Sequence, residues 1–244
     1  MAFYYLLLGH LIGDFVLQTD KIAENKVRRW KWNLLHVLAV TFCTLIFSYG
    51  FGTPLIFLVL LNGVVHFVLD FHKKDIMGIL HLSELQGFLF DQLLHILLLF
   101  LISQAADYGT KQLLDFKTVR LLIVLALVTS FSAVFTQFIL SALFPRTDNS
   151  FFKEGEKHVG ILTRLYVAVV FYLSFVISPY YLLLLVVAAV IFLMQFKLKW
   201  NKWMSHSHLL VKLLLDTAIS AVCTSLIIFW NNPDAFTRLV AMTI

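Results

Sequence analysis

Three polar side chains recur at every fourth position in His10-Leu-Ile-Gly-Asp14-Phe-Val-Leu-Gln18, inside the first hydrophobic stretch of the chain. On a helix that spacing stacks them along one face, with neighbouring Cβ atoms about 6 Å apart. The pattern returns at Asn62-x-x-x-His66-x-x-x-Asp70 and Asp91-x-x-x-His95, and His36 stands in an apolar run between the first and second groups. A carboxylate at the centre of a membrane helix costs roughly 2.5–3.5 kcal/mol on insertion scales. Asp14, Asp70 and Asp91 must therefore be paired, hydrated or metal-bound. Imidazole and carboxylate together suit zinc, manganese or iron, with no thiolate needed. His10, Asp14, His36, His66, Asp70, Asp91 and His95 are accordingly candidate ligands of a divalent metal ion. They are more than one tetrahedral ion can use. Two ions, or one ion with supporting carboxylates and an acid–base pair, would employ them. Asp14, Asp91 and His36 are the candidate catalytic groups, as ligands or as general acids and bases. Two other readings fit the same residues: a proton or ion pathway, and a structural polar network that fixes helix register.

The elements that must carry these groups follow from composition. The chain is 60% hydrophobic and only 14% charged, its mean hydropathy is +0.88, and soluble domains carry about 25% charged residues. The expectation is an all-α, polytopic transmembrane helix bundle. The net charge of +5 does not point to nucleic acid, because no basic stripe with interleaved aromatics lies outside the apolar segments. Cys43 and Cys223 sit in separate apolar runs, which argues against a disulfide and excludes a cysteine metal site by number. The first residues lack the positive n-region of a signal peptide and are expected to stay as the first spanning helix.

Apolar runs near the length that spans a bilayer fall at residues 2–18, 33–49, 55–71, 87–104, 118–144, 159–177, 181–196 and 208–230. About eight spanning helices are expected: residues 1–104 form an N-terminal four-helix half with the polar site, and 105–244 a C-terminal four-helix half of the same membrane domain. Residues 21–32 are basic and carry two Trp, which suits the membrane–water interface. Residues 72–86 read as a polar loop. Alternate connections hold most of the Lys and Arg, from Lys21, Lys26 and Arg28 through Lys73 and Lys74 to Lys197 and Lys202. The positive-inside rule then places both termini away from the cytoplasm. With that orientation, four helices deliver Asp14, His36, Asp70 and Asp91 to one depth near the cytoplasmic face, while the outer halves of segments 1–4 are nearly all apolar. Gln18, Gln92 and Arg164 are candidate substrate contacts. The two glutamines also suit hydrogen bonds between helices, and Arg164 suits a lipid phosphate. Lys212 and Asp216, four apart, are expected to neutralise each other.

The stretches HLIGDFVLQTDKIAENK, LLHV, HFVLDFHKK and FDQLLH, taken in this order and spacing over roughly residues 5–100, resemble the bacterial membrane family called domain of unknown function 3307. Gly155, Gly160 and Arg164 fit a Gly-x-x-x-x-Gly-x-x-x-Arg segment of that family, with Thr163 where an acidic residue is usual. The resemblance implies a membrane fold and no specific activity. In kind only, the chain is also similar to membrane proteins described as metal-dependent hydrolases with His/Asp motifs. The leading expectation is a multi-pass protein of the bacterial inner membrane, in contact with membrane lipids, whose His/Asp site binds metal and hydrolyses a lipid-like or phosphate-containing substrate. A proton- or ion-coupled transporter is the alternative, and a non-catalytic scaffold the second.

Overall fold

The structure, a computed structural model, describes residues 1–107, 112–146, 160–177, 179–186, 190 and 206–231. Among them it is all-helical, with no strand. Helix α1 (Ala2–Leu11) runs into a π turn (Ile12–Val16). Then come α2 (Asp20–Lys26), α3 (Trp30–Ser48), α4 (Thr53–Ile79), α5 (Glu84–Ser103) and α6 (Phe116–Ala126). A second π turn (Leu127–Phe131) precedes α7 (Ser132–Leu143), α8 (Ile161–Val176), a 3-10 turn (Pro179–Leu182) and α9 (His206–Asn231).

Five helical stretches are long and apolar enough to cross a membrane: Trp30–Ser48, Thr53–Ile79, Glu84–Ser103, Phe116–Leu143 and Ser207–Leu226. Of the eight expected spans, the first and sixth are shorter apolar helices, Ala2–Val16 and Ile161–Ser174. Most of the seventh, over 181–196, lies outside the described residues, as do the charged connections 147–158 and 197–205. The stretch 72–86, expected as a loop, is helical at both ends. Helix α4 continues to Ile79, and α5 opens at Glu84 with a capping box in which Ser83 and Gln86 satisfy each other's backbone N–H groups. Hydropathy reports where apolar surface stops, not where the backbone hydrogen bonds stop. At 27 residues, α4 is about 40 Å long, more than a hydrocarbon core requires.

The chain divides into two compact units, Met1–Ala126 and Leu127–Ile244. In the first, α1 is the central element, buried at Ala2, Tyr5, Leu6, Leu8, Gly9, His10 and Leu11, with α3, α5 and α6 against it. Among lipid-like helices apolar burial provides little drive for association; close backbone packing and interhelical hydrogen bonds provide more. Gly9 and Gly13 supply the packing. A Cβ on Gly9 would lie 2.6 Å from Thr44 Cα, and one on Gly13 would collide with Val40 Cα. The pair is a Gly-x-x-x-Gly motif, and it lets α1 with its π turn touch α3 backbone to backbone. Helix α4 is two-faced: Leu55, Val59, Gly63, His66 and Asp70 are buried, while Phe57, Leu61, Val64 and Val68 face outward. Gly52, at φ 88°, makes the sharp turn into Thr53-Pro54 at the head of α4, a conformation that favours glycine.

In the second unit, α9 packs along α8 and α7. Arg164, Lys212 and Asp216 are each fully buried. Asp216 takes Arg164 Nη1 on one oxygen and Lys212 Nζ on the other, both at 2.9 Å. The remaining Arg164 donors go to backbone: Nε to the Val128 carbonyl at 2.7 Å and Nη2 to that of Thr129 at 3.1 Å. A π turn breaks the regular i−4 ladder, and here the guanidinium reaches carbonyls within it.

Candidate metal centre

Asp14 is buried within the first π turn, which closes with the Leu17 N–H on the Ile12 carbonyl at 2.9 Å. The turn changes the register predicted for a regular helix. His10 Nε2 and Asp14 Oδ2 remain neighbours at 3.7 Å. Gln18 falls beyond the end of the turn, half-buried, its Oε1 buried without a hydrogen-bond partner. The glycine contact sets α3 against this turn and brings His36 Nε2 to 3.1 Å from Asp14 Oδ1. Asn33, one turn earlier on α3, donates to the Phe67 carbonyl of α4 at 3.0 Å and fixes those two helices together.

From α4, Asp70 Oδ2 lies 3.4 Å from His36 Nε2 and 3.5 Å from His66 Nε2. From α5, His95 Nε2 is 3.5 Å from Asp91 Oδ1 and 3.9 Å from Asp70 Oδ1. The rings of His66 and His95 stack with centroids 4.0 Å apart, and the His10 ring lies 5.3 Å from that of His95. All seven residues named as candidate ligands are buried and meet in one cluster. Gln92 donates to Asp14 Oδ2 at 3.1 Å and is a supporting group of that carboxylate. Arg164 belongs to the second unit, held there as described above. Among the other histidines, His72 is exposed and pairs with Asp75 at 3.2 Å, and His81 is exposed at a left-handed turn.

Two members were missed from the sequence. Lys73 Nζ binds Asp91 Oδ2 at 2.8 Å. Lys73 follows Asp70 by three residues and extends the His66–Asp70 stripe into 72–86, the stretch expected as a polar loop. Lys26, in the basic stretch 21–32, reaches in from the end of α2 to 3.0 Å from Asp70 Oδ2, 3.6 Å from Asp14 Oδ1 and 2.9 Å from His36 Nε2. No periodicity could have found it, because α2 shares no helical face with the other elements. Burial pulls the Lys26 pKa down, but Asp70 and then Asp14 beside it outweigh burial and hold it above its ordinary value.

The three carboxylates exceed the two ammoniums by one negative charge when every imidazole is neutral. Several buried donor atoms lack a hydrogen-bond partner: His10 Nε2, both nitrogens of His66 and of His95, and Asp70 Oδ1, while Asp70 Oδ2 is held by the Lys26 ammonium at 3.0 Å. Such groups cost on the order of 1–3 kcal/mol each, and each neutral imidazole offers one lone pair beside the carboxylate oxygens. Two sets have donor atoms within 4.8 Å of one another, Asp14–His36–His66 and His66–Asp70–His95, with His66 common to both. By chemistry and by position these buried groups could hold a metal ion.

A family model described as "Protein of unknown function (DUF3307)" matches residues 2–124. That range holds the whole cluster, both lysines included. No curated protein and no solved structure matches the chain.

Proposed function

We propose, for a chain that belongs to the DUF3307 family, that the buried cluster is a divalent-metal centre serving hydrolysis of an amphiphilic, phosphate-containing substrate at the cytoplasmic face of a bacterial inner membrane. The observation that carries the reading is the convergence of the buried imidazoles of His10, His66 and His95, which lack hydrogen-bond partners, with the carboxylates of Asp14 and Asp70. A purely structural network would be expected to satisfy its members.

A zinc, manganese or iron ion held there supplies a water of pKa near 7 and polarises the scissile bond. The chain's own groups divide the remaining work. His66 is the ligand common to both sets, and Asp70 and His95 complete one of them. Asp14, oriented by Gln92, and His36 would complete the other set with His66. Asp91 supports His95, and Lys73 beside it faces an anionic group. Transport is disfavoured, because among the described residues the core toward the other end of the first unit is lined by Tyr5, Leu6, Cys43, Leu55 and Leu99, with no acid–imidazole strip to continue the path.

Metal analysis of protein purified gently without chelators tests this. Wild type is expected to retain about one or two equivalents of a transition metal per chain, and His66→Ala to lose them. Phosphate release from a lipid phosphate in detergent micelles should be abolished by Asp14→Asn. A wild-type protein that neither carries nor takes up metal overturns the reading.

A further inference from the structure

Resting on the metal reading, we infer that Lys26 is a tethered counter-cation: it occupies the seat of the metal ion in the metal-free state and leaves it by exchange when the ion binds.

The position of Lys26 is unlike that of the helix that carries it. Helix α2 has no buried residue, yet the Lys26 side chain is only 12% exposed. Its ammonium contacts Asp14, His36 and Asp70, which come from three different elements. Two of those are donors of the first metal set, and the third belongs to the second set. The ammonium thus draws on the electron pairs that a metal ion would use.

His36 shows that the arrangement is a competition. Its Nε2 has a single in-plane position. If that position is a lone pair, it accepts from Lys26 at 2.9 Å but faces Asp14 Oδ1 at 3.1 Å and Asp70 Oδ2 at 3.4 Å acceptor to acceptor. If it is an N–H, it donates to a carboxylate and faces the ammonium donor to donor. Neither tautomer satisfies all three contacts. A metal ion in place of the ammonium does, because lone pair and carboxylates then point at one positive centre. An ammonium and a divalent ion on the same donors repel each other, so binding one expels the other.

The chain connecting Lys26 to the bundle permits the exchange. Only residues 27–29 separate α2 from α3, and Arg28, Arg29 and Lys31 are exposed there. On leaving, Lys26 joins a surface already basic. No fully buried residue of α2 has to move, because α2 has none.

The test is a Zn²⁺ and Mn²⁺ titration by calorimetry of the full chain in detergent. Lys26→Gln, which keeps length but not charge, should bind at least tenfold more tightly than wild type. Lys26→Arg, which keeps the charge, should stay within about threefold of it or bind more weakly. Hydrogen–deuterium exchange of residues 19–28 in wild type should speed up on metal addition, and should not in His66→Ala. If wild type binds metal while Lys26→Gln binds equally or more weakly, Lys26 is a supporting partner and this inference falls, with the metal reading intact. If wild type and Lys26→Gln both fail to bind, the metal reading falls and takes the inference with it. Should Lys26→Gln not fold, the Lys26→Arg affinity and the wild-type exchange decide: unchanged exchange on a metal-loaded protein overturns the exchange of cations.

Discussion

Gln92 Nε2 donates to Asp14 Oδ2 across 3.1 Å, joining α5 to the π turn of α1 over a sequence separation of 78 residues. The other Asp14 oxygen faces His36 and Lys26, so the amide fixes which oxygen is left for the site. Replacing Gln92 with Leu removes a hydrogen bond to a charged, buried group. The expected loss is about 1.5–3 kcal/mol, read as a fall in the thermal midpoint in detergent. Gln92→Glu should cost more, because it sets a second carboxylate against the first. If both variants match wild type, the bond does not orient Asp14.

The contact of α1 with α3 depends on two absent side chains. Gly9→Ala and Gly13→Ala each force a methyl into backbone of α3, and such overpacking costs typically ~1–3 kcal/mol. Both should also weaken metal binding, since the same contact sets His36 beside Asp14. Gly78→Ala in α4 is the control. An added methyl there meets nothing within 4 Å, and alanine should gain about 0.5–1 kcal/mol in helix propensity. Unfolding midpoints ordered Gly78→Ala above wild type above Gly9→Ala would agree with this packing; equal midpoints would contradict it.

Lys73 and Asp91 make a pair at 2.8 Å whose lysine side chain is 21% exposed. Removing one partner of a fully buried pair costs about 3–5 kcal/mol; partial exposure of Lys73 brings the expectation for Lys73→Met to roughly 1–3 kcal/mol. The double variant Lys73→Met, Asp91→Asn should recover part of that loss. A double-mutant cycle with no coupling would show that the pair is screened to insignificance.

In the second unit, Asp216 serves two cations at once. Asp216→Asn takes the carboxylate from Arg164 and Lys212 together and should cost about 3–5 kcal/mol or prevent folding. Lys212→Met leaves the Arg164–Asp216 pair in place and should cost less. Expression yield and thermal midpoint of the two variants check the order; a reversed order would mean that Arg164 does not need this carboxylate.

The acid–imidazole strips were legible in the sequence because they violate the composition around them. An Asp inside a run such as HLIGDFVLQ has a cost that only a partner can offset, and the three strips share one spacing. The burial of His66 and Asp70 on the face opposite Phe57, Leu61 and Val68 follows from that period alone. Lys73 could be read from its spacing to Asp70, but Lys26 could not, because basic residues beside an apolar segment are ordinary at a membrane surface and only the path of the backbone tells whether they turn inward. Arg164 looked like a headgroup contact for the same reason, and its guanidinium instead spans Asp216 and the carbonyls of Val128 and Thr129.

By itself, then, the sequence determined that the chain is helical and apolar enough to enter a membrane, and which residues had to find partners. Hydropathy and periodicity are sums over neighbours in the chain, and those properties are local. Which donor faces which was decided only in three dimensions. Gly9 and Gly13 let two backbones touch, a π turn rotates Asp14 within its helix, and α2 folds back to bring Lys26 onto His36. Each depends on distances between residues far apart in the chain, and hydrogen bonds weaken or vanish over shifts of about an ångström.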